Sequence, residues 1–311
     1  MGLRICSLLP SATEIVAVLG LEDLLVGVSE ECDWPPSVRE LPVVTRSRID
    51  FSTLSSREID RGVREAVRSG DSLYALDAEQ IDALSPDLVI TQDLCRVCAV
   101  SSGEVDRLCD LRAEVVSLDP HTIAEIGGSV LELAALLEAS ERGREVVSDM
   151  ERRIAAVREA VAGRPRPEIF VCEWADPPFA AGHWVPEMVE AAGGRDVLGV
   201  AGRPSYTTTW DDVLAADPSL VVLACCGFDA ARAAQDANLP ALPMPVVAVD
   251  ANAYYSRPSP RVAAGVEQLA HLMHPDAVAD PGLPAIWLSP SDGGADGLGQ
   301  RRGKGSRIAA A

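Results

Sequence analysis

The sequence predicts an α/β protein of two similar lobes, each built on a mostly parallel sheet, joined by one long helix with a ligand cleft between them. Three observations predict it: a single long amphipathic stretch mid-chain, similar strand and helix segments on both sides of it, and one recurring junction. In that junction a helix runs into a proline and then a buried strand. It occurs as Leu84-Ser85-Pro86-Asp87-Leu88-Val89-Ile90 and again as Ala216-Asp217-Pro218-Ser219-Leu220-Val221-Val222-Leu223. Strands separated by helices call for crossover connections and hence parallel pairing. Two lobes imply a cleft, and clefts at domain interfaces are where small ligands usually sit.

The long stretch runs from Ser140 to Arg164. Apolar residues recur at Val146 or Val147, Met150, Ile154, Val157 and Val161, a spacing that places them on one helical face. Ser140 can cap the start, Gly163 can end the helix, and Pro165 and Pro167 stop its continuation. Such a helix is roughly 30 to 35 Å long, enough to cross from one lobe to another. The expected organisation is an amino-terminal lobe over 1–139, the bridging helix over 140–164, a carboxyl-terminal lobe over 165–284 and a disordered tail over 285–311.

In the first lobe, strands are expected at Leu3–Leu8, Leu24–Val28, Leu88–Thr91 and Glu114–Leu118. Helices are expected near Ala12–Leu19, Ser56–Ser69, Glu79–Leu84, Ser101–Leu111 and Ile123–Leu137. The second lobe repeats the scheme with strands at Ile169–Glu173, Leu220–Cys225 and Val246–Val249, a helix around Pro186–Glu190 ended by Gly193-Gly194, and a closing helix over Pro260–Met273. Past Ala285, Gly, Ser, Asp and Arg dominate without apolar periodicity, which reads as disorder.

With 311 residues, 48% of them hydrophobic, the chain can bury two cores. A formal charge of -20 argues against nucleic acid and anionic membrane surfaces, which need basic patches. No apolar run approaches the roughly 18 residues of a membrane span. Met1-Gly2-Leu3-Arg4-Ile5-Cys6 leads straight into a strand without a signal-peptide pattern, so the expectation is a cytoplasmic protein whose eight cysteines are thiols or metal ligands.

Cys95 and Cys98 follow a buried strand, have the Cys-x-x-Cys spacing that lets two thiolates share a metal or form a disulfide, and are expected to face the cleft. Cys32 and His183 are the further candidate ligands for zinc or iron, with Cys172 and Cys226 nearby at strand ends; the plainer reading is half-buried thiols lining a pocket. Glu30-Glu31-Cys32-Asp33-Trp34-Pro35 and Glu173-Trp174-Ala175-Asp176-Pro177 pair carboxylates with an indole at similar places in the two halves. Trp34 and Trp174 facing each other would grip a flat ligand. Gly182-His183-Trp184-Val185-Pro186 adds an imidazole and another indole, and Tyr255 and Arg257 could close the cleft on an anionic edge. No nucleophile elbow, phosphate-binding glycine loop or His-Glu-x-x-His pattern is present.

Ile5-Cys6-Ser7-Leu8-Leu9-Pro10-Ser11-Ala12-Thr13-Glu14-Ile15, Pro86-Asp87-Leu88-Val89-Ile90-Thr91-Gln92, Gly182-His183-Trp184-Val185-Pro186-Glu187 and Ser256-Arg257-Pro258 together resemble the cobalamin- and ferric-siderophore-binding group of ABC-transporter substrate-binding proteins. Within it they are most similar to a cytoplasmic-looking branch labelled cobalamin-binding protein. The resemblance spans about residues 3 to 276. It implies two Rossmann-like lobes on a rigid helix. It also implies a corrinoid, haem-like or iron-chelate ligand between them, at a site including Ser11, Trp34, Gln92, Trp174, Trp184, Tyr255 and Arg257. Glu30 stands where the branch commonly has histidine, and Ser259 where it commonly has glycine. The alternative function is a cytoplasmic enzyme on the same fold using Cys95, Cys98 and His183 on a small substrate. In exported relatives an acid on each lobe meets permease arginines. The matching positions are Glu79 and Asp211, each seven residues before the proline of the recurring junction. Both lie in capping-box contexts and Asp211 is short, so the expectation is that permease docking has been lost.

Overall fold

The computed structural model describes residues 2–69, 72–93, 100–103, 105 and 113–288. Cys95, Cys98, most of the helix expected over 101–111 and the tail from Ser289 lie outside the described residues.

The predicted class is what forms. The first lobe is a sheet of β1 (Ile5–Ser7), β2 (Leu25–Ser29), β3 (Val43–Ser47), β4 (Tyr74–Leu76), β5 (Leu88–Thr91) and β6 (Glu114–Ser117), in the order β4-β3-β2-β1-β5-β6. Every pairing is parallel except β3 with β4. Helices α1 (Pro10–Val18), α2 (Ser56–Ser69), α3 (Ala78–Leu84) and α4 (Ile123–Leu136) complete its described elements of any length. Strands β3 and β4 escape a periodicity reading because β3 is short and carries the polar Thr45 and Arg46, and β4 is only three residues long.

The bridging helix α5 runs from Ser140 to Ala160, 21 residues, or about 30 Å. Ala139 holds the cap position without a side-chain bond, so Ser140 is the first helical residue and not the cap. The helix stops at Ala160, and Gly163 at φ 73° turns the chain, a conformation that costs glycine nothing. One apolar stripe serves both lobes: Val146 and Val147 are buried in the core of the first, and Met150, Ile154, Val157 and Val161 in that of the second.

The second lobe comprises β7 (Glu168–Ala175), β8 (Pro178–Ala180), α6 (Val185–Ala191), β9 (Arg195–Asp196), β10 (Tyr206–Thr207), α7 (Trp210–Ala215), β11 (Leu220–Leu223), α8 (Ala230–Gln235), β12 (Val246–Val249), α9 (Ala251–Tyr254), α10 (Val262–Met273) and β13 (Ala285–Leu288). Its sheet has the order β10-β8-β7-β11-β12-β13, with β9 on β7. Strand β13 corrects one expectation, because Ala285–Leu288 is not the start of a disordered tail. It pairs antiparallel with β12, from Ala285 opposite Val249 to Leu288 opposite Val246. Four residues are too few for a periodic signal, and an edge partner supplies their backbone bonds.

Ile154 is 3% exposed in a stripe that both lobes use. Ile154→Ala is expected to cost about 2–5 kcal/mol in urea unfolding without a change in slope. A loss under about 1 kcal/mol would show that the helix carries little of the second lobe's packing.

Candidate functional site

The strand order turns the carboxyl ends of both sheets toward one space. The residues just past β1, β2, β3 and β5 in the first lobe (Ser11, Glu31, Arg48, Gln92) and past β11 and β12 in the second (Ala224, Asn252) line a cavity of about 1180 Å³ between the lobes. Ligand crevices of open α/β sheets lie at these ends.

One end of the cavity is closed by a buried ionic knot. Glu14, on α1, has no exposed surface. Its carboxylate accepts from Arg257 and Arg261 at 2.9 Å each, and from the Ser259 hydroxyl. Arg257 also donates to Asp33 Oδ1, to the Glu31 carbonyl at 3.0 Å and to Asn252 Oδ1 at 3.0 Å. Burial works against the Arg257 charge, but its hydrogen bond to Asp33 and the charges of Glu14 and Asp33 hold its pKa above the ordinary value. Arg257 therefore lines the cavity but is already neutralised, which corrects its expected role as a free anion clamp.

Tyr255 is corrected on similar grounds. It is 1% exposed, and its hydroxyl donates to Gln268 Oε1 at 2.8 Å inside the second lobe. Burial, then the charge of Asp250, pushes its pKa up. Trp34 does not line the cavity; its ring lies under the Arg261 guanidinium, 5.1 Å from the centroid. The indole pair expected across the cleft is replaced by Trp174 and Trp184, both from the second lobe and both at the cavity.

The Gly182-His183-Trp184 segment has a backbone reason for each residue. A Cβ on Gly182 would meet Ser205 N at 2.3 Å and Arg203 O at 2.4 Å, so only glycine lets these strands of chain pass. His183 is at φ 49°, a left-handed conformation held by its N–H to Arg203 O at 2.6 Å and by Gly202 N–H to its own carbonyl at 2.9 Å. Trp184 then caps α6, and its indole N–H donates to Tyr255 O at 2.8 Å. The turn pushes the His183 imidazole into the cavity wall, 5.5 Å centroid to centroid from His121 of the first lobe. Burial, and secondarily His121, lowers the His183 pKa below the ordinary 6.5. Glu187, one turn on, accepts the Ile123 N–H of the first lobe at 2.8 Å.

The metal expectation is not supported. Among the described residues no three His, Cys, Asp or Glu side chains come together to hold an ion. Cys32 is buried in the first lobe with Sγ 3.1 Å from Thr13 Oγ1, and burial raises its pKa to about 11, the wrong direction for a thiolate ligand. Cys172 is fully buried, its pKa raised to about 12 by burial, while Cys226 lines the cavity. Cys95 and Cys98 lie outside the described residues.

Residues that periodicity did not single out supply the remaining wall. Phe179 and Phe228 line it from the second lobe, and Phe51, Ile59, Val63 and Val67 from the first. Arg48, Arg64, Arg68, Arg232 and Arg257 line it together with Glu30, Glu31, Asp50, Asp60 and Glu173, five of each sign, so the acidity of the chain is not expressed in its cavity. Burial, then Glu30, raises the Glu31 pKa against the pull of Arg257.

A family model described as periplasmic binding protein matches residues 5–244. The chain belongs to the periplasmic binding protein family. The Vitamin B12-binding protein of Salmonella typhimurium is 23% identical over 273 residues, covering 87% of this chain and 90% of that protein. The Vitamin B12-binding protein of Yersinia pseudotuberculosis is 25% identical over 281 residues, with coverage of 87% and 86%. Among solved structures, the periplasmic vitamin B12 binding protein BtuF of Vibrio cholerae superposes with a TM-score of 0.61 at 24% identity, covering 86% of this chain and 94% of that one. The periplasmic heme-binding protein RhuT of Roseiflexus sp. RS-1 gives 0.64 at 20% identity, with coverage of 89% and 100%. These likenesses show the fold. They also overturn the cytoplasmic expectation, since family and relatives alike are periplasmic and point to the periplasm. That expectation rested on the first residues of the chain, which do not report where the folded body works. Among the described residues no helix is long and apolar enough to cross a membrane.

Two outcomes test this geometry. Glu14→Ala leaves two arginines facing a buried gap and is expected to cost about 3–5 kcal/mol, part of which Arg257→Met in the same chain restores. The His183 imidazole is expected to titrate below 6.5 by NMR and to move up in His121→Ala. Because the folded state resists this proton, the corresponding stability is present above 6.5 and is lost as pH falls through that value toward the folded pKa.

Proposed function

We propose that this periplasmic binding protein family member is a solute-binding protein holding a corrinoid or haem-like macrocycle in the cavity between its lobes. The observation that carries the reading is the cavity itself. At about 1180 Å³ it exceeds what a sugar or amino acid needs, and the half-buried rings of Trp174 and Phe179 give it aromatic surface, with the buried Trp184 and Phe228 also in its wall. The similarity to vitamin B12-binding and heme-binding proteins supports the same ligand class. His183 stands where it can meet the metal at the centre of such a ligand, and Ser11, Gln92 and Glu31 offer polar contacts to its rim. No observation among the described residues favours the enzymatic alternative.

Titration of the purified chain with cyanocobalamin, haemin and a ferric siderophore, followed by tryptophan quenching, is expected to show saturable one-to-one binding of one of the first two at micromolar or tighter affinity. Trp174→Ala weakens it about tenfold or more. Binding of the siderophore alone, or of none, overturns the reading.

A permease partner belongs to the same proposal: the case against docking rested on the capping-box contexts of both acids and the short Asp211 side chain, neither of which removes a carboxylate from the surface, and the cytoplasmic placement that went with it is overturned. Glu79 and Asp211 are both exposed, each the second residue of its helix, α3 and α7, behind the side-chain caps Asp77 and Thr209. The two positions are equivalent in the two lobes. Glu79→Lys with Asp211→Lys is expected to abolish capture by a cognate permease in proteoliposomes while leaving ligand affinity unchanged. Undiminished capture excludes these acids as the docking points.

A further inference from the structure

Helix α2 belongs to the first lobe by sequence and to both lobes by contact. Toward its carboxyl end, Val63 and Ala66 pack on the first-lobe core that holds Val44 and Tyr74. Toward its amino end, Ile59 is buried in the second lobe's core with Phe170 and Val213, and Phe51, Leu54 and Val63 pack on that core too. Polar contacts fasten the amino end to the second lobe alone. Asp236 accepts the Ser56 N–H at 2.8 Å and the Ser56 hydroxyl. Arg57 pairs with both oxygens of Asp176, at 2.9 and 3.1 Å. The Trp174 indole N–H donates to Ser56 O at 3.1 Å, and Arg232 donates to the carbonyls of Phe51 and Leu54. A carboxylate at a helix amino terminus is favoured by the exposed N–H groups and the dipole, so Asp236 holds α2 where a helix is most receptive to an anion.

Between these anchorages Ile59, Val63 and Val67 recur every fourth residue, so they form one ridge, and all three line the cavity. Val67 is 52% exposed, much for a valine unless something covers it.

We propose that α2 is a retention strap: the Val63-Val67 end of its ridge is an apolar contact of the first lobe with the ligand, and its anchorage on the second lobe, Ile59 in the core and the Ser56-Arg57 latch on Asp176 and Asp236, must release for the ligand to enter or leave. The two ends of the cavity differ in the way this requires. The Glu14 knot is buried and permanent, with Arg257 6% exposed. Of the latch, the Arg57–Asp176 pair is open to water on one side, with Arg57 73% exposed, so it is screened by salt and readily broken, while the Ser56 bonds to Asp236 are part-buried. The strap replaces lobe rotation as the moving part of a body whose lobes share one helix.

The ligand half of this inference rests on the proposed macrocycle, and the latch half does not, so the test separates them. Hydrogen exchange of the ligand-free full chain is compared between wild type, Arg57→Ala and Asp176→Asn with Asp236→Asn. Exchange over residues 51–69 is expected to quicken about tenfold in the double variant and less in Arg57→Ala, while residues 140–160 stay unchanged. Stopped-flow release of bound cyanocobalamin or haemin is expected to quicken in the same order and to quicken further with added salt. Val67→Asp is expected to lower the affinity for the bound probe about tenfold without loosening exchange over 51–69. Unchanged exchange over 51–69, or faster exchange over both lobes alike, overturns the strap. If neither probe binds wild type, the macrocycle reading falls and exchange alone decides the latch; if a probe binds and its release does not respond to the latch variants, the strap falls and the macrocycle stands.

Discussion

Glu14 carries a carboxylate with no exposed surface, and its two arginine partners, Arg257 and Arg261, both come from the opposite lobe. Removing such charges from water costs several kcal/mol per ion, and only their mutual pairing with further hydrogen bonds offsets it. The pairing therefore exists only when the lobes stand in one relation, with Ser259, Asn252 and Asp33 in place. Any rotation that separated the lobes at this end would leave an uncompensated buried charge. The base of the cavity is in this sense a lock.

The bridging helix answers the same constraint by packing instead of charge. Its stripe passes from the first core at Val146 and Val147 to the second at Met150 and Ile154 without a break in register. Arg153 adds a two-pronged pair to Glu267 of α10 at 2.7 and 2.8 Å. Two lobes fixed by a continuous helix and a buried ionic knot leave the rim where α2 spans to Asp176 and Asp236 as the place where the proposed strap opens the cavity. The site is thus rigid where its floor must be shaped and loose where its contents must pass.

Charge is distributed to suit this division. The chain as a whole carries -20, but the cavity wall holds both arginines and carboxylates, and Arg64 pairs with Asp60 and Arg257 with Glu14 and Asp33. The wall also offers the half-buried rings of Trp174 and Phe179, aliphatic side chains of α2, the His183 imidazole and a Glu31 carboxyl whose burial favours its protonated form. That lining suits a large, flat molecule better than a small multiply charged one.

The fold was legible in the sequence because its signals are local. The α5 stripe, the two proline junctions and the all-apolar strands Leu220–Leu223 and Val246–Val249 each declare themselves within a dozen residues. The candidate site was legible only in part. Ser11 and Gln92 do reach the cavity, because residues just past parallel strands face one way, and Trp174 reaches it from the end of β7 and His183 and Trp184 from the turn after the antiparallel β8. Trp34 does not, and Tyr255 and Arg257 reach it with their polar groups already spent on Gln268, Glu14 and Asp33. Glu14 had left a trace, a lone carboxylate in an apolar helix, but nothing local to it names Arg257 as its partner. The α2 ridge reads equally well as an ordinary surface helix, and β13 is too short to announce itself. The sequence by itself determined the longer periodic helices, the all-apolar strands and their grouping into two lobes, since periodicity and turn chemistry act over neighbouring residues, and it missed short elements such as β3, β4, β8 to β10, α8 and α9. Only the tertiary structure decided which charges are spent and which face the ligand, because the deciding pairings, Glu14 with Arg257 and Arg261 and Asp33 with Arg257, join residues more than two hundred positions apart.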